Sequence, residues 1–485
     1  MTALLASLLL ASLSSSNSVA LERGLDTIRT EEIRADIHYI ASDEMAGRDT
    51  VTEEQRIAAR FIKNRLERLG FAPGNGESFL WEYPLALKAL DPDSLAATLG
   101  ERPLVYGVDY GFTDSFGTAE LDTTGGVVYA ADGSRDAFSD LDLTGSWALV
   151  DHGDENVYRL RSRARKAGAV GLVLAPAPGS DRNLLAEFAD NDDAAFEGAI
   201  SWPSSEGDRR PSRAPFPVLA VSAGVRAQLG GGDLTLGADL ETTLAERRSL
   251  AGGGSVLAEN VVGLWPGSDP ELSKEVIIVS AHYDHVGTRD GKVYNGADDN
   301  GSGTTGLLAL AEGLSEYGAM RRSVLLIWVS GEERGLWGSK AWAADPSLPE
   351  GYRAVANLNM DMIGRNAPNV LDVTPSEKHE GYNRLAELAQ RFGAEEGFGD
   401  FPEAREQGFE GLGSADVYYN RSDQAEFAKM GIPVCFLFAG EHEDYHQATD
   451  TPDKIDCDKI RRVTRTILKM LDAMQDDELD LAAPR

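Results

Sequence analysis

Histidines and carboxylates gather in five short segments of this chain of 485 residues. The segments cover residues 280–285, 296–303, 330–333, 359–362 and 444–447. Most of them lie at or just after the end of an apolar run. In an open α/β sheet the carboxyl ends of the strands are where ligands bind. We therefore expect these segments to meet at one edge of a sheet.

Histidine nitrogen and carboxylate oxygen are zinc ligands, and a catalytic zinc site keeps one position open. The segments offer two histidine nitrogens and three carboxylates: His282, His446, Asp361, one of the pair Asp298 and Asp299, and one of the pair Glu332 and Glu333. In a two-metal hydrolase a shared group holds the ions ~3.5–4 Å apart. The pattern therefore predicts two Zn²⁺ ions that share one aspartate of residues 298–299.

Three further residues have predicted supporting roles. Asp284 follows His282 by two positions, so on an extended backbone the two side chains point the same way and Asp284 supports the histidine. Adjacent glutamates diverge, so one of Glu332 and Glu333 binds metal while the other serves as general base for the attacking water. The Tyr445 hydroxyl is placed to stabilise a tetrahedral oxyanion.

The set resembles the co-catalytic zinc aminopeptidases, a family that also contains transferrin-receptor-like carboxypeptidases and glutaminyl cyclases. The matching residues are His282-Tyr283-Asp284, Asp299-Asn300-Gly301-Ser302-Gly303, Glu332-Glu333 with Gly335-Leu336-Trp337-Gly338-Ser339, Asn359-Met360-Asp361-Met362, and Tyr445-His446 with Asp450-Thr451. The resemblance covers roughly residues 25–90 and 255–475.

The resemblance implies specific roles within that set. Asp299 is the bridging acid because it precedes the x-x-Ser-Gly of the family motif, a choice that spacing alone leaves open. The implied metal ligands are His282, Asp299, Glu333, Asp361 and His446, and the implied catalytic residues are Glu332, Asp284 and Tyr445. Relatives often have Ser-Asp-His where this chain has Ser422-Asp423-Gln424. Arg421 and Asp423 are candidate substrate contacts. We interpret His285 and His442 as supporting or structural residues.

The order of elements predicts a three-layer α/β/α sandwich with a mixed central sheet. Continuous apolar runs such as Val276–Val279 and Ser323–Val329 are typical of buried parallel strands, and helical patterns alternate with them. Residues 95–254 have a different texture of short β-like runs, which predicts an inserted, mainly-β accessory domain. Residues 143–151 and 166–171 resemble a protease-associated domain. The predicted organisation is therefore a leader at 1–20, peptidase segments at 21–94 and 255–485, and the insert between them.

The composition limits the partners and the location. Lys+Arg 46 against Asp+Glu 79 gives a net charge of −33, which argues against nucleic acid and anionic membrane surfaces. The apolar run Ala3–Leu13, followed by the small residues Ser18-Val19-Ala20, indicates an export signal, and no later run predicts a membrane helix in the mature chain. The expected location is periplasmic or extracellular. Cys435 and Cys457 either form one disulfide or remain buried thiols.

The sequence therefore predicts an exported zinc aminopeptidase that acts on peptides with a free N-terminus. A carboxypeptidase or dipeptidase, or a glutaminyl cyclase, is the alternative on the same fold. A receptor-like protein without activity is the alternative from another class. The five candidate metal ligands argue against it, because such relatives lose ligands.

Overall fold

The computed structural model describes residues 18–113, 121–139, 141–189, 199–203, 216–229, 240–248, 254–289, 291–399, 415–476 and 481. The chain divides into two compact units. One comprises Met1–Tyr83 and Leu257–Arg485, and the other comprises Pro84–Val256. The predicted insert, residues 95–254, lies within the second unit, and its identity as a protease-associated domain stays a prediction. The apolar run Ala3–Leu13 lies outside the described residues.

A mixed sheet forms the centre of the first unit, as the sequence predicts. Its strands follow the spatial order Asp372–Thr374, Val434–Phe438, Arg353–Asp361, Glu275–His282, Ser323–Val329, Gly254–Trp265 and Leu80–Lys88. The four strands from Val434–Phe438 to Ser323–Val329 are parallel to one another. Asp372–Thr374 and Gly254–Trp265 pair antiparallel with this parallel block, and the short strand Ala72–Pro73 pairs antiparallel with Gly254–Trp265. A separate hairpin joins Thr288–Arg289 and Lys292–Val293.

The helices of this unit cover both faces of the sheet. They are residues 18–27, Thr30–Ile40, Glu53–Leu69, Gly303–Tyr317, Trp337–Ala344, Arg384–Glu395, Gln424–Lys429 and Cys457–Ala473, with 3₁₀ turns at Asp43–Met45, Leu272–Lys274, Ala415–Tyr418 and Pro452–Lys454. Side chains alternate between the faces, so Ile277 and Val279 belong to one core cluster and Val276 and Ile278 to another. A strand that is buried on both faces has to be apolar at every position, which explains the continuous run in the sequence.

The second unit has its own sheet of eight strands. Their order is Arg102–Leu104, Ala96–Leu99, Leu240–Arg248, Leu121–Tyr129, Ser146–His152, Gly171–Pro176, Val218–Val221 and Tyr110–Phe112. The strand Ala199–Ser201 pairs separately with residues 86–88. Short helices are Arg135–Ser139, Val157–Lys166, Leu184–Glu187 and Ala223–Gln228, with a 3₁₀ turn at Pro92–Ser94. The sequence indicated β-like runs at residues 126–129, 147–150, 170–175 and 217–221, and each of them overlaps one of these strands.

Two other expectations have an outcome in the fold. Cys435 and Cys457 are buried free thiols, so the disulfide alternative is not the one observed. Among the described residues, no helix combines the length and the apolar character that crossing a bilayer requires.

Candidate metal centre

The parallel strands deliver the predicted donors to one edge of the sheet. His282 and Asp361 are the last residues of their strands. Glu332 and Glu333 lie three and four residues after the end of the strand Ser323–Val329, and Asp299 lies in the buried turn Ala297–Ser302. His446 comes from the loop that follows the strand Val434–Phe438. All five predicted metal ligands therefore lie in one cluster.

The first group of donors surrounds the His282 ring. His282 Nε2 lies 3.3 Å from Asp361 Oδ1 and 3.4 Å from Asp299 Oδ1. Ligand atoms ~2.0–2.1 Å from a tetrahedral zinc ion are separated by about 3.3 Å. The spacing of these three atoms therefore fits one zinc ion.

The second group shares Asp299 with the first. His446 Nε2 lies 3.1 Å from Asp299 Oδ2 and 3.0 Å from Glu333 Oε2. The two oxygens of Asp299 thus face different histidines, which is the arrangement of a bridging carboxylate. The resemblance implied this role for Asp299, and the role stays a prediction.

His285 also lies at the second group, which sequence reasoning did not anticipate. Its side chain is fully buried, and Nδ1 lies 2.7 Å from Glu333 Oε1 and 3.8 Å from Asp299 Oδ2. His285, Asp299 and Glu333 together have a geometry that could hold a metal ion. The only signal in the sequence was the position of His285 one residue after Asp284, which does not separate a donor from a structural histidine.

Unpaired polar atoms support the fit of a metal to this cluster. Among the described residues, His285 Nδ1 and Nε2, Glu333 Oε1 and His446 Nε2 are buried without a hydrogen-bond partner. The short distance between His285 Nδ1 and Glu333 Oε1 therefore lacks the direction of a hydrogen bond. Buried polar groups without partners are costly, and a cation shared by these atoms satisfies them. The residues present thus fit two zinc ions.

The charges of the cluster also favour cations. Burial by itself lowers the pKa of His446, but the carboxylates of Asp299 and Glu333 raise it to about 10. Burial raises the pKa of Asp299, but the neighbouring rings of His282 and His446 hold it well below its ordinary value. The carboxylates of the cluster therefore favour a positive charge among them, either on a histidine ring or on a bound cation.

Asp284 connects the first histidine to the glutamate pair. His282 Nδ1 lies 3.2 Å from the Asp284 main-chain oxygen and 3.7 Å from its Oδ1. The amides of Glu332 and Glu333 donate to the Asp284 carboxylate over 3.2 and 3.4 Å. Asp284 therefore positions two segments of the cluster at once, which goes beyond the support of His282 that the sequence suggested.

Glu332 has the environment expected of a general base. It borders the cavity beside Asp299 and Asp361, and its carboxylate is not part of either donor group. Burial and the carboxylate of Asp423 raise the pKa of Glu332 well above its ordinary value, against the opposing effect of His282. A raised pKa brings a carboxylate closer to the range in which it both accepts and returns a proton at neutral pH.

A cavity next to the donors has one apolar side and one polar side. It is lined by Asp299, Glu332, Asp361, Met362, Tyr418, Arg421, Ser422, Phe436, Phe438, Glu441 and Tyr445. Met362, Tyr418, Phe436 and Phe438 pack together in one cluster with Tyr445 at its border. The Tyr445 ring stacks on His446 with centroids 4.0 Å apart. Burial raises the pKa of Tyr445, so its hydroxyl stays protonated and available to donate.

The two predicted substrate contacts lie in different surroundings. Arg421 lines the cavity, is half-exposed and lies 3.5 Å from Glu441. Asp423 does not line the cavity and is fully buried. Its Oδ1 accepts a hydrogen bond from Ser339 Oγ over 2.6 Å. Ser422, between them, donates to Asp361 Oδ2 over 2.8 Å and so fixes that donor.

One part of this chain is similar to a family of known peptidases. Residues 260–471 match the model of Peptidase family M28. This match confirms the resemblance to co-catalytic zinc aminopeptidases that the motifs indicated.

Curated proteins with similar sequences include an aminopeptidase. Leupeptin-inactivating enzyme 1 of Streptomyces exfoliatus is 32% identical over 184 residues, which are 37% of this chain and 36% of that protein. Leucine aminopeptidase 2 of Trichophyton rubrum is 26% identical over 204 residues, 40% of this chain and 35% of the relative. The chain thus spans about a third of the length of these curated relatives.

Solved structures show the same fold over nearly the whole chain. An aminopeptidase from Aneurinibacillus sp. strain AM-1 covers 96% of this chain and 98% of its own, with a TM-score of 0.51 and 20% identity. BSAP, a zinc aminopeptidase from Bacillus subtilis, covers 94% of this chain and 98% of its own, with a TM-score of 0.53 and 17% identity.

Proposed function

We propose that this protein is a zinc aminopeptidase that removes the first residue of peptides with a free N-terminus. The observation that carries the proposal is the pair of donor groups joined by Asp299, with the carboxylate of Glu332 beside them and a cavity with one apolar side next to both. Zinc ions, when bound, polarise a water molecule and the peptide carbonyl. His282, Asp361, His446 and Glu333 would hold the ions, with Asp299 between them.

The side chains of the chain itself have separate tasks in this reaction. Glu332 accepts a proton from the attacking water and returns it to the leaving amine. Tyr445 donates a hydrogen bond to the oxyanion that forms at the carbonyl oxygen. Asp284 holds the amides of the glutamate pair and thereby the direction of Glu332. Carboxylates at the donor cluster bind the free α-amine.

The cavity indicates the kind of side chain that the first residue carries. Met362, Phe436 and Phe438 present apolar surface directly beyond Asp361, so burial of an apolar side chain there contributes favourable binding energy. We expect leucine, methionine and phenylalanine to be preferred over charged residues. The leucine aminopeptidases among the relatives are consistent with this expectation.

A carboxypeptidase is the second candidate, and Arg421 is the observation that favours it. Such an enzyme needs a cation for the terminal carboxylate, and Arg421 faces the cavity. However, Glu441 lies 3.5 Å from its guanidinium and neutralises much of the charge. This pairing supports the aminopeptidase instead.

One assay separates the candidates. Aminoacyl-nitroanilides and their N-acetylated forms are incubated with zinc-loaded and with chelator-treated protein. We expect metal-dependent cleavage of the free-amine forms alone, fastest with leucine. Cleavage of peptides only from the carboxyl end would support the carboxypeptidase, and ring closure of N-terminal glutamine without hydrolysis would support the cyclase. Zinc binding without any turnover would contradict an enzyme.

Export is a separate part of the proposal. It rests on the apolar run Ala3–Leu13 and the small residues that follow it. Amino-terminal sequencing of the protein recovered outside the producing cell tests it, and we expect a mature chain that begins close to Leu21. Recovery of the uncut chain inside the cell would contradict export.

A further inference from the structure

The short segment Gly47–Thr50, which we call the clamp, contacts two of the segments that carry the metal donors and the residue that follows a third. It lies between the helices Thr30–Ile40 and Glu53–Leu69, 234 residues before Asp284 in the case of Thr50. This region forms a turn between the two helices. In the structure Arg48 and Thr50 are both buried, so the turn is part of the interior behind the donors.

Arg48 joins three stretches of main chain through its guanidinium. Nε donates to Tyr283 O over 2.9 Å, and Nη2 donates to Gly296 O over 3.0 Å. Nη1 donates to Asn295 O over 2.8 Å and to Ile40 O over 2.6 Å. The planar fork of an arginine offers donors in fixed directions. Arg48 therefore sets the spacing between the segment of His282 and the turn of Asp299.

Thr50 reaches the same site by a different route. Its hydroxyl donates to Asp284 Oδ2 over 3.1 Å, and Asp284 in turn accepts from the amides of Glu332 and Glu333. Groups that orient metal ligands from outside commonly change metal affinity or activity 10–100-fold when they are removed. Thr50 thus fixes the carboxylate on which the position of the glutamate pair depends.

The main chain of the clamp is tied to the donor segments as well. The amide of His285 donates to Arg48 O over 3.3 Å, and the amide of Gly287 donates to Gly47 O over 3.3 Å. Gly47 has a φ of +72°, and a Cβ there would lie 2.5 Å from Tyr294 O. Asp49 forms an ion pair with Arg334, the residue after Glu333. The clamp is therefore attached both to the chain that follows His282 and to the chain that follows Glu333.

Arg48 is also a fixed positive charge behind the donors. Burial lowers its pKa to about 10, while the carboxylates of Asp284, Asp450 and Asp299 oppose that change. The guanidinium stays charged at neutral pH, and its hydrogen bonds go to main-chain carbonyls. Its geometry and its charge therefore have opposite consequences for a metal ion, since ordered ligands help binding and a nearby cation opposes it.

We propose that Arg48 and Thr50 are positioning residues of the metal centre, which hold the donor segments in their binding arrangement before any ion arrives. The proposal rests on the proposed function only in that the cluster is a zinc site. It does not depend on which bond the enzyme cleaves.

Zinc affinity tests the role of Arg48 without any substrate. Competition with a chromophoric chelator is measured for the full chain and for Arg48→Lys and Arg48→Met, both checked for folding by circular dichroism. We expect affinity to fall ~10-fold or more in both variants. Loss of a positive charge alone would tighten zinc binding, so weaker binding of Arg48→Met identifies lost positioning. Equal or tighter binding would overturn the proposal for Arg48.

Arg322→Lys is the matched control. Arg322 is also buried and also donates to main-chain carbonyls, those of Met474 and Asp476, but it precedes the strand Ser323–Val329 and so lies at the opposite edge of the sheet. We expect its substitution to lower thermal stability and to leave zinc affinity unchanged. A zinc affinity lowered as much as in Arg48→Lys would show a general effect of losing a buried arginine and would overturn the proposal.

Thr50 keeps the proposal testable if the Arg48 variants do not fold. Thr50→Val removes the hydroxyl at nearly constant volume, and Thr50→Ser restores it. We expect weaker zinc binding in Thr50→Val, with recovery in Thr50→Ser. Zinc affinity equal to that of the parent protein in Thr50→Val would overturn the positioning role. If the parent protein binds zinc but has no aminopeptidase activity, the proposed function is refuted and the positioning role is not.

Discussion

The two donor groups that share Asp299 are built in different ways. In the first, His282 and Asp361 end adjacent parallel strands, and the His282 side chain is 1% exposed. In the second, His446 lies on a loop with a φ of +53° and a side chain that is 35% exposed. Strand ends are held by the whole sheet, whereas a loop depends on local contacts. We therefore expect the first group to bind zinc more tightly than the second.

Local contacts compensate for the loop in the second group. Asp444, two residues before His446, accepts from Arg365 over 2.9 Å and from Lys454 over 2.8 Å. His442 Nε2 lies 3.2 Å from Asp298 Oδ2, next to the bridging aspartate. Tyr445 stacks on His446. One half of the cluster is therefore fixed by the sheet, whereas the order of the other half depends on a few polar contacts.

The largest expected effect comes from Glu332, which lies beside the two donor groups and belongs to neither. Glu332→Gln removes the proton acceptor and keeps the size of the side chain. We expect turnover to fall by ~10²–10⁴ while the zinc content stays at two ions per chain. Steady-state kinetics and metal analysis measure the two quantities. Full activity in this variant would remove Glu332 from the mechanism.

The next prediction compares the two histidines directly. After dialysis against dilute chelator, His446→Ala should keep one ion, because the strand-end group remains complete. His282→Ala should lose both ions under the same conditions, because the remaining group depends on the loop. Metal analysis of both variants checks the prediction. If both retain the same amount of zinc, the two groups do not differ as we describe.

His285 sharpens the comparison, because it adds a buried nitrogen to the second group. We expect His285→Asn to weaken only the more weakly bound ion, by ~10-fold. Competition with a chelator over two affinity ranges resolves the two ions. A structural histidine would lower thermal stability and leave both affinities unchanged.

The smallest expected effect concerns the loop contacts. Asp444→Asn removes the charge that holds Arg365 and Lys454 and keeps the shape of the side chain. We expect a two- to five-fold loss of affinity for the weaker ion, since contacts of partly buried charges contribute ~1 kcal/mol or less. The tighter ion serves as the internal control. A change in the affinity of the tighter ion would show that the effect is not local to the loop.

Much of the fold and of the cluster followed from sequence patterns. Val276–Val279 predicted a buried strand because both faces of the sheet need apolar side chains, and the donors follow such runs. The contacts of Arg48 could not be predicted in this way. Three of them join residues more than 200 positions apart, and their acceptors are main-chain carbonyls, which every residue has.

The positions of individual side chains behind the donors were also beyond the sequence. Asp423 is buried against Ser339 and not exposed in the cavity, which depends on how the helices Trp337–Ala344 and Gln424–Lys429 pack. The proximity of His285 to Glu333 depends on the path of the chain after His282. Both follow from tertiary packing, and no local pattern encodes them.

Zinc titration of the metal-free protein tests the central claim most directly. Bound zinc and hydrolysis of leucine nitroanilide are followed together as zinc is added. We predict two ions per chain that bind in two steps of unequal affinity, with cleavage of the free-amine substrate and none of its acetylated form. Saturation at a single ion, or two bound ions without cleavage of the free-amine substrate, would contradict a co-catalytic aminopeptidase.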